Sequence, residues 1–581
     1  MSTTEDQHGA LTNYIAYEDP DTQGNTRIGS LNFEQSVIQP LSFVSGTPIS
    51  NLYQVIEVGE SQIKATGETL PLSEVKILAP ISGRDILAVG KNYSEHAKEF
   101  NSSGYDASDK VDQPTHPVIF TKRATSIIAN GEPIFLHDGF TDTLDYEGEI
   151  GVIIGKSGFK ISEVDASDYV WGYTIINDLT ARERQRDHKQ FFIGKSADTL
   201  CPMGPIAVPA KELPEVLRVQ THVNGEKRQD STIQDLIFSV PFLIKILSEG
   251  MTLQAGDVIA TGTPAGVGIG RTPPVFLKHN DVIEVSISGL GTLKNTVSRS
   301  EEHNRTLSKL VKTSNVPMCN MRAQESVLAS LDHKKLNYKH IESASGSPII
   351  FIHGLGSSSE YFSPLIANLA LTETHSLHLM DLEGHGLSPT SAVSVLSISS
   401  FADDFHALAS SAHLSQATII AHDLGCSIAM ELATRNPDFI AKLILLGPLH
   451  SSLPSTERST YQAMATAVRR HGMSTITNIA TSPKNYVATS AVRMALLGQD
   501  VEGYAKACTA IAEATEISIQ GVIAKTLVVA GSEDKISPVS VCEDYAYKLG
   551  SNAQVKVLEH VGHWHIFEDL DGVSEAIKAF L

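Results

Sequence analysis

The sequence has 581 residues and a mass of 62.6 kDa, too much for one hydrophobic core, so two to four domains are expected. At 41% hydrophobic and 19% charged residues it has a globular composition, which excludes a disordered, collagen-like or fibrous chain. With 45 Lys and Arg against 66 Asp and Glu the net charge is −21, a field that repels phosphate; this argues against a nucleic-acid or anionic-membrane binder and for a small-molecule enzyme.

The amino terminus, Met1-Ser-Thr-Thr-Glu-Asp-Gln, is polar and acidic, unlike a signal or transit peptide. Apolar runs such as Lys442-Leu-Ile-Leu-Leu-Gly fall short of the ~20 residues of a membrane span, so no membrane partner is expected. The cysteines Cys201, Cys319, Cys426, Cys508 and Cys542 are scattered and form no CxxC pair, which suits neither a disulfide framework nor zinc. A reducing, cytoplasmic location is the expectation, and the Asn-x-Ser/Thr triplets at Asn92, Asn101 and Asn304 read as chance. Up to about residue 300, short β-branched runs (Glu149-Ile-Gly-Val-Ile-Ile-Gly, Asp281-Val-Ile-Glu-Val-Ser-Ile) between Gly and Pro predict a mostly β architecture. After about residue 345, strand-like runs (Ile349-Ile-Phe-Ile, Ala417-Thr-Ile-Ile, Thr526-Leu-Val-Val) alternate with amphipathic helical stretches, which predicts a doubly wound α/β sheet. The charged, weakly periodic stretch between the halves reads as a linker.

In the first half, Leu144-Asp-Tyr-Glu-Gly-Glu places Glu147 and Glu149 two apart, on one face of a strand. Alternating glutamates also suit a solvated face. Asp178 ends a further apolar run, Trp171-Gly-Tyr-Thr-Ile-Ile-Asn-Asp, with Arg182 close behind. Three converging carboxylates repel unless a cation lies between them, and oxygen donors favour Mg²⁺ before Mn²⁺ or Ca²⁺. Upstream, His96 and Glu99 share a helix face if Gly90-Lys-Asn-Tyr-Ser-Glu-His-Ala-Lys-Glu opens a helix, and a carboxylate beside an imidazole suits general-base work. A surface histidine on a polar helix is the plainer alternative. Lys195 sits in a Gly/Pro-bounded loop, where a solvated lysine is as natural. Thr261-Gly-Thr-Pro-Ala-Gly-Val-Gly is a turn whose amides and Thr263 hydroxyl suit a carboxylate, or simply a tight turn.

Taken in order, GKNYSEHAKE, LDYEGEI, GYTIINDLTARERQ, GKSADTLCPMGP, VNGEKRQ, ATGTPAGVG and GLGTLKN resemble the fumarylacetoacetate hydrolase family, in its acylpyruvase and oxaloacetate-decarboxylase branch. The resemblance implies a β-rich fold, often a homodimer through this domain, with Mg²⁺ (or Mn²⁺) on Glu147, Glu149 and Asp178. It also implies a lid carrying His96 and Glu99, an active-site Lys195, a family lysine at Lys122 and a substrate contact at Thr263. The expected domains are 1–80 (small, N-terminal), 81–300 (catalytic), 301–322 (linker) and 323–581. A 2-oxo or β-diketo acid is the substrate class implied, and C–C hydrolysis, decarboxylation and tautomerisation share the same enolate.

The second half resembles the α/β-hydrolases, most of all enol-lactonase-like members, with a helical cap at about 450–520. The matches are Phe351-Ile-His-Gly-Leu-Gly-Ser, Met380-Asp-Leu-Glu-Gly-His-Gly-Leu-Ser, an acid at Asp534 and a histidine at His563. The resemblance also implies an oxyanion hole from the amides of Leu355 and Leu424. The elbow departs from Gly-x-Ser-x-Gly: it reads Ala421-His-Asp-Leu-Gly425, which puts Asp423 at the nucleophile position. A carboxylate attacking a carbonyl gives an anhydride, whereas attack at a saturated carbon gives an ordinary ester that His563 and water can cleave. Tyr461, Tyr486 and Tyr504 are available as proton donors from the cap. A serine hydrolase that lost its serine, leaving a non-catalytic scaffold, is the rival reading. Cys426, beside the elbow, reads as a packed helix-start residue. The expected architecture is therefore a β-rich fumarylacetoacetate hydrolase-like fold followed by a doubly wound α/β-hydrolase fold.

Overall fold

The β-branched runs of the first half become strands, and the register in which they pair sets everything near the carboxylates. The computed structural model describes residues 11–22, 24–102, 114–299, 328–331, 334–342, 347–477 and 486–581; the expected linker at 301–322 lies outside them. Strand Gly148–Ile154 pairs antiparallel with Val170–Asn177, with Gly148 opposite Asn177, and on its other edge with Val258–Ala260, with Gly151 opposite Ala260. It is buried along its whole length, which explains an apolar run where a half-exposed strand would alternate. Ile86–Gly90 and Val118–Lys122 extend the sheet beyond Val258–Ala260, and Cys201–Pro209 flanks Val170–Asn177.

Tyr14–Glu18, Thr26–Asn32, Val37–Phe43 and Ile63–Ala65 continue the same sheet through the pairing of Tyr14 with Ala207. The segment expected as a small domain over 1–80 thus shares the sheet of the catalytic region; an open strand edge invites that pairing. A second sheet runs Ile134–Phe135, Gly291–Ser298, Val282–Ile287, Arg218–Val223 and Glu226–Thr232. Ile150, Ile175, Ile206 and Val208 of the first sheet pack with Val219, Val285, Leu293 and Val297 of the second.

The chain divides into two compact units near residue 321. In the second, the strand order is Leu328–Leu331, Lys334–Ile341, Leu377–Met380, Ile349–Ile352, Ala417–His422, Ile440–Leu446, Lys525–Gly531 and Ala553–Leu558. From Leu377–Met380 onward the strands are parallel. Successive residues feed two separate apolar layers. Ile350, Ile352, Ile419, Ala421 and Leu443 enter one, while Ile349, Phe351, Ile420 and Ile444 enter the other. Helices Ile398–Ser411, Leu424–Arg435 and Val539–Leu549 cover the first layer, and Leu570–Phe580 the second. The expected cap corresponds to helices Ser455–His471, Tyr486–Leu497 and Val501–Ala512, inserted between two central strands. Among the described residues no helix is long and apolar enough to cross a membrane.

Helix Ile398–Ser411 begins where the Ser397 hydroxyl accepts from the Ser400 amide (3.0 Å) and drives Phe401 and Phe405, both fully buried, into the first layer. Phe405→Ala is expected to cost about 3–5 kcal/mol, read as a lower thermal midpoint; a midpoint within experimental scatter of the parent would show that this layer relaxes around the hole.

Candidate active sites

The antiparallel register brings residues 31 positions apart face to face. With Gly148 opposite Asn177, Glu147 and Asp178 meet just beyond the pair, and the Asp178 amide donates to the Glu147 carbonyl (2.7 Å). On the other edge the Gly262 amide donates to Glu149 Oε2 (2.8 Å). Ligand oxygens of Glu147, Glu149 and Asp178 lie within 4.8 Å of one another, all buried. The resemblance grouped these three residues, and the fold brings them together.

Cations surround the cluster. Lys195 Nζ bridges Glu147 Oε2 (2.7 Å) and Asp178 Oδ2 (2.6 Å). Arg182 binds Glu147 Oε1 (2.7 Å) and, on its other side, Asp145 Oδ2 (2.8 Å). Burial opposes the Glu147 charge, but Lys195 and Arg182 hold its carboxyl down to about 2. Glu149 goes the other way: burial, then the charges of Asp178 and Glu147, push it well above the carboxylate range. Burial also opposes the Lys195 charge, yet Asp178 and Glu147 outweigh it and the ammonium persists. Counting formal charges, Asp145 offsets Arg182, and the three cluster carboxylates face Lys195 and Lys122, leaving one negative charge. An all-oxygen donor set with surplus negative charge fits a hard divalent cation.

Lys122 is completely buried with three protein oxygens in reach: Asp178 Oδ1 (2.6 Å), the Leu179 carbonyl (3.1 Å) and the Lys195 carbonyl. It therefore anchors Asp178 and the Lys195 backbone, where a substrate contact was expected. Thr263 lines the cleft as expected, though its hydroxyl already donates to the Gly148 carbonyl (3.1 Å) and accepts from Gln229 (2.7 Å). Sequence reasoning noted Arg182 without assigning it, and it passed over Asp145 and Gln185. The only signal for them was charge inside an apolar run, since the Arg182–Asp145 pair depends on tertiary packing.

His96 and Glu99 lie on helix Ser94–Ser102, which follows strand Ile86–Gly90. Nδ1 of His96 faces Glu99 Oε2 at 3.5 Å, and the ring is buried against a cleft of about 300 Å³ lined also by Glu147, Glu149, Arg182, Lys195 and Thr263. The Gly266 amide points at both Glu99 oxygens (3.1 and 3.2 Å). Gly266 has φ +105°, and a Cβ there would lie 1.9 Å from the Arg228 carbonyl oxygen, so only glycine lets this turn close on Glu99.

The second unit carries a separate constellation at the carboxyl ends of its central strands, where a parallel sheet opens its crevice. Asp423 directly follows Ala417–His422 with φ +51° and ψ −119°, a strained conformation for a non-glycine residue. The turn after Ile349–Ile352 fits only because residue 354 is glycine: a Cβ there would lie 2.7 Å from that of Asp423. The Leu355 amide donates to Asp423 Oδ2 (2.8 Å), and the Leu424 amide also bonds to the Asp423 carboxylate. His563 Nε2 stands 3.4 Å from Asp423 Oδ1, and its Nδ1 lies 2.9 Å from Asp534 Oδ2. Asp534 is fixed in turn by the Ile536 and Ser537 amides (2.8 Å each).

Burial opposes the His563 cation, but Asp534 and Asp423 outweigh it and push the imidazole up to about 10. Burial likewise opposes the Asp423 charge, and His563 holds it down to about 2. Of the three tyrosines considered, Tyr504 is buried, Tyr461 is partly buried against Leu355 and both layers, and Tyr486 is 84% exposed. Cys426 is buried with its thiol pushed far up, chiefly by burial, so it is no nucleophile. His560 is exposed and His565 buried, and neither joins the Asp534–His563–Asp423 chain.

A buried acidic cluster on a β sheet, with an HxxE helix at its cleft, is the arrangement the first half's motifs implied. The family model for the fumarylacetoacetate (FAA) hydrolase C-terminal domain matches residues 85–298, and the model for serine aminopeptidase, S33, matches residues 345–570. The chain belongs to the fumarylacetoacetate hydrolase family and carries an α/β-hydrolase domain after it. It is 53% identical over 230 residues to oxaloacetate tautomerase YisK of Bacillus subtilis (strain 168), a match covering 39% of this chain and 74% of that one. Among solved structures, a fumarylacetoacetate hydrolase from psychrophilic Exiguobacterium antarcticum is 40% identical, covering 50% of this chain and 99% of its own, with a TM-score of 0.42. The 2-hydroxyhepta-2,4-diene-1,7-dioate isomerase from Mycobacterium marinum is 30% identical, covering 50% and 100%, with a TM-score of 0.40.

Because folding raises the proton affinity of His563 above its ordinary 6.5, the stabilisation it brings is complete below that pH and drains as pH climbs through about 10. The thermal midpoint is expected to fall across that window, and His563→Gln to flatten the fall. An equal slope in both proteins would mean that His563 titrates normally.

Proposed function

We propose that the first unit is a Mg²⁺-dependent enzyme, Mn²⁺ serving as a substitute, that forms and discharges the enolate of a small 2-oxo acid, with tautomerisation of an oxaloacetate-like diacid as its reaction. The observation that carries this reading is the buried Glu147–Glu149–Asp178 cluster, short of positive charge and sharing a cleft with His96. Glu147, Glu149 and Asp178 would hold the cation, which when bound would withdraw electrons from the 2-oxo carbonyl and acidify the adjacent carbon. Lys195 and Arg182 keep Glu147 ionised and oriented, and Lys122 does the same for Asp178. With Nδ1 turned to Glu99, Nε2 of His96 is the atom left to move a proton at that carbon. The name of the 53% identical relative supports tautomerisation over its neighbours. Hydrolysis of a C–C bond and decarboxylation would draw on the same enolate, with water or CO₂ as the further participant. A homodimer through this unit is part of the proposal.

For the second unit we propose a hydrolase acting through Asp423, His563 and Asp534, which makes the chain bifunctional. A scaffold has no use for a backbone strain of about 1–3 kcal/mol held beside a buried ion chain, and both are present.

The first reading is tested with oxaloacetate, following enol absorbance and CO₂ release separately. Mg²⁺ is expected to speed loss of the enol without matching CO₂, and EDTA to abolish the effect. Glu149→Gln and His96→Ala should each lower the rate by about 10²–10⁴-fold. Turnover indifferent to EDTA and to Glu149→Gln would overturn the metal assignment, and CO₂ released in step with enol loss would replace tautomerisation by decarboxylation.

A further inference from the structure

We infer that Asp423 opens an epoxide: its carboxylate attacks a ring carbon, and water then cleaves the resulting enzyme ester to a diol. The inference rests on the reading that the Asp423 site is catalytic, and it names the substrate class.

The position of Asp423 Oδ2 is the starting point. An acyl-transfer enzyme keeps its pair of amides vacant for the oxygen of the substrate carbonyl, since that is where charge develops. Here the Leu355 amide holds Oδ2 at 2.8 Å and the Leu424 amide bonds the same carboxylate. An ester, lactone or peptide carbonyl therefore meets donors already taken by the nucleophile itself. Displacement at a saturated carbon needs no oxyanion donor in its first step. Oδ1 attacks, Oδ2 becomes the carbonyl oxygen of the new ester, and the amides already grip the atom that turns anionic when water adds in the second step.

The leaving group follows from Tyr461. Helix Ser455–His471 sets it beside Leu355, close enough for Asp423 to act on its titration, and its hydroxyl has no hydrogen-bond partner among the described residues. The Tyr504 hydroxyl, by contrast, engages Cys508. A halide leaves without needing a proton, whereas an opening epoxide ring needs a donor at its oxygen, and a buried, fully protonated phenol supplies one. Burial, then Asp423, keeps Tyr461 protonated far above neutral pH.

The protons balance across the cycle. As Oδ1 bonds the ring carbon, the C–O bond breaks, its electron pair stays on oxygen, and that oxygen takes the Tyr461 proton. Esterification erases the charge of Asp423, one of the two carboxylates that hold His563 as a cation. His563 then releases its proton, which returns through solvent to the tyrosinate. Neutral Nε2, still oriented by Asp534, accepts a proton from water as the water oxygen adds to the Asp423 carboxyl carbon. The tetrahedral oxyanion rests on the Leu355 and Leu424 amides. Collapse expels the diol oxygen, which takes the proton of the newly formed acid and leaves Asp423 as carboxylate beside the His563 imidazolium. The net change is epoxide plus water to diol, and the first diol oxygen delivered comes from Asp423.

The test uses the full chain with styrene oxide as the epoxide probe, and p-nitrophenyl acetate and dihydrocoumarin as acyl probes. In heavy-oxygen water, a single turnover of styrene oxide is expected to place the label in the Asp423 peptide, not first in the diol. His563→Gln should accumulate an adduct of one probe mass on that peptide, Asp423→Asn should form none, and Tyr461→Phe should slow the epoxide at least about tenfold. Turnover of an acyl probe with no label in Asp423, and none of the epoxide, would overturn the inference while leaving the site catalytic. Failure of all three probes to turn over or to label the wild-type chain would overturn both.

Discussion

Buried negative charge is the constraint that organises both halves of this protein. Taking a carboxylate out of water costs several kcal/mol unless it is paired and hydrogen-bonded. The first unit nevertheless buries Glu147, Glu149, Asp178 and Asp145 within one cleft wall. Arg182, Lys195 and Lys122 answer most of that charge, each with contacts under 3 Å to carboxylate oxygens. What remains is an appetite for a cation, and a 2-oxo acid that binds beside such a cation brings its own negative charge into balance. The second unit meets the same constraint with Asp423 and Asp534 on either side of one imidazolium. There the surplus charge resides on the group proposed to react.

The two units solve the positioning problem differently. In the first, the reacting groups come from strand pairing: an antiparallel register places Glu147 beside Asp178 and draws the Gly262 amide onto Glu149. A slip of one residue would turn the carboxylates to the opposite face and the core residues outward with them. In the second, they come from turns at the ends of parallel strands, where Gly354 and the strained Asp423 approach each other too closely for any other residue at 354.

What could be read from the sequence was what lies close in the chain or carries a recognisable order. His96 and Glu99 are three residues apart on one helix turn, and Glu147 and Glu149 two apart, so periodicity alone placed each pair on a shared face. Asp178 and Asp423 emerged because motif order and the strand-then-helix pattern fixed their positions. The Asp145–Arg182 pair was not legible, because nothing local says that a strand residue and a helix residue 37 apart will meet at 2.9 Å. Lys122 was legible as a special lysine but not as an anchor, since its partners Asp178, Leu179 and Lys195 belong to other segments. The continuity of the first eighty residues with the main sheet depends on one edge pairing, Tyr14 with Ala207, that composition does not disclose. The capture of the Leu355 amide by Asp423 was equally hidden, because the amides were expected from the resemblance as an empty hole.

The strand Ala417–His422 gives its side chains alternately to two separate apolar layers, Ile419 and Ala421 to one and Ile420 to the other. Asp423 is the next residue but one in that ladder, so its backbone is clamped from above and below before its own chemistry is considered. Such a mounting is stiff in both directions: neither layer can swell or contract without levering the carboxylate off its amides. Drift in the interior of this unit is thereby held in check by the reactive end of a single strand, and the interior in turn serves as the vice that keeps an otherwise unfavourable bend in place.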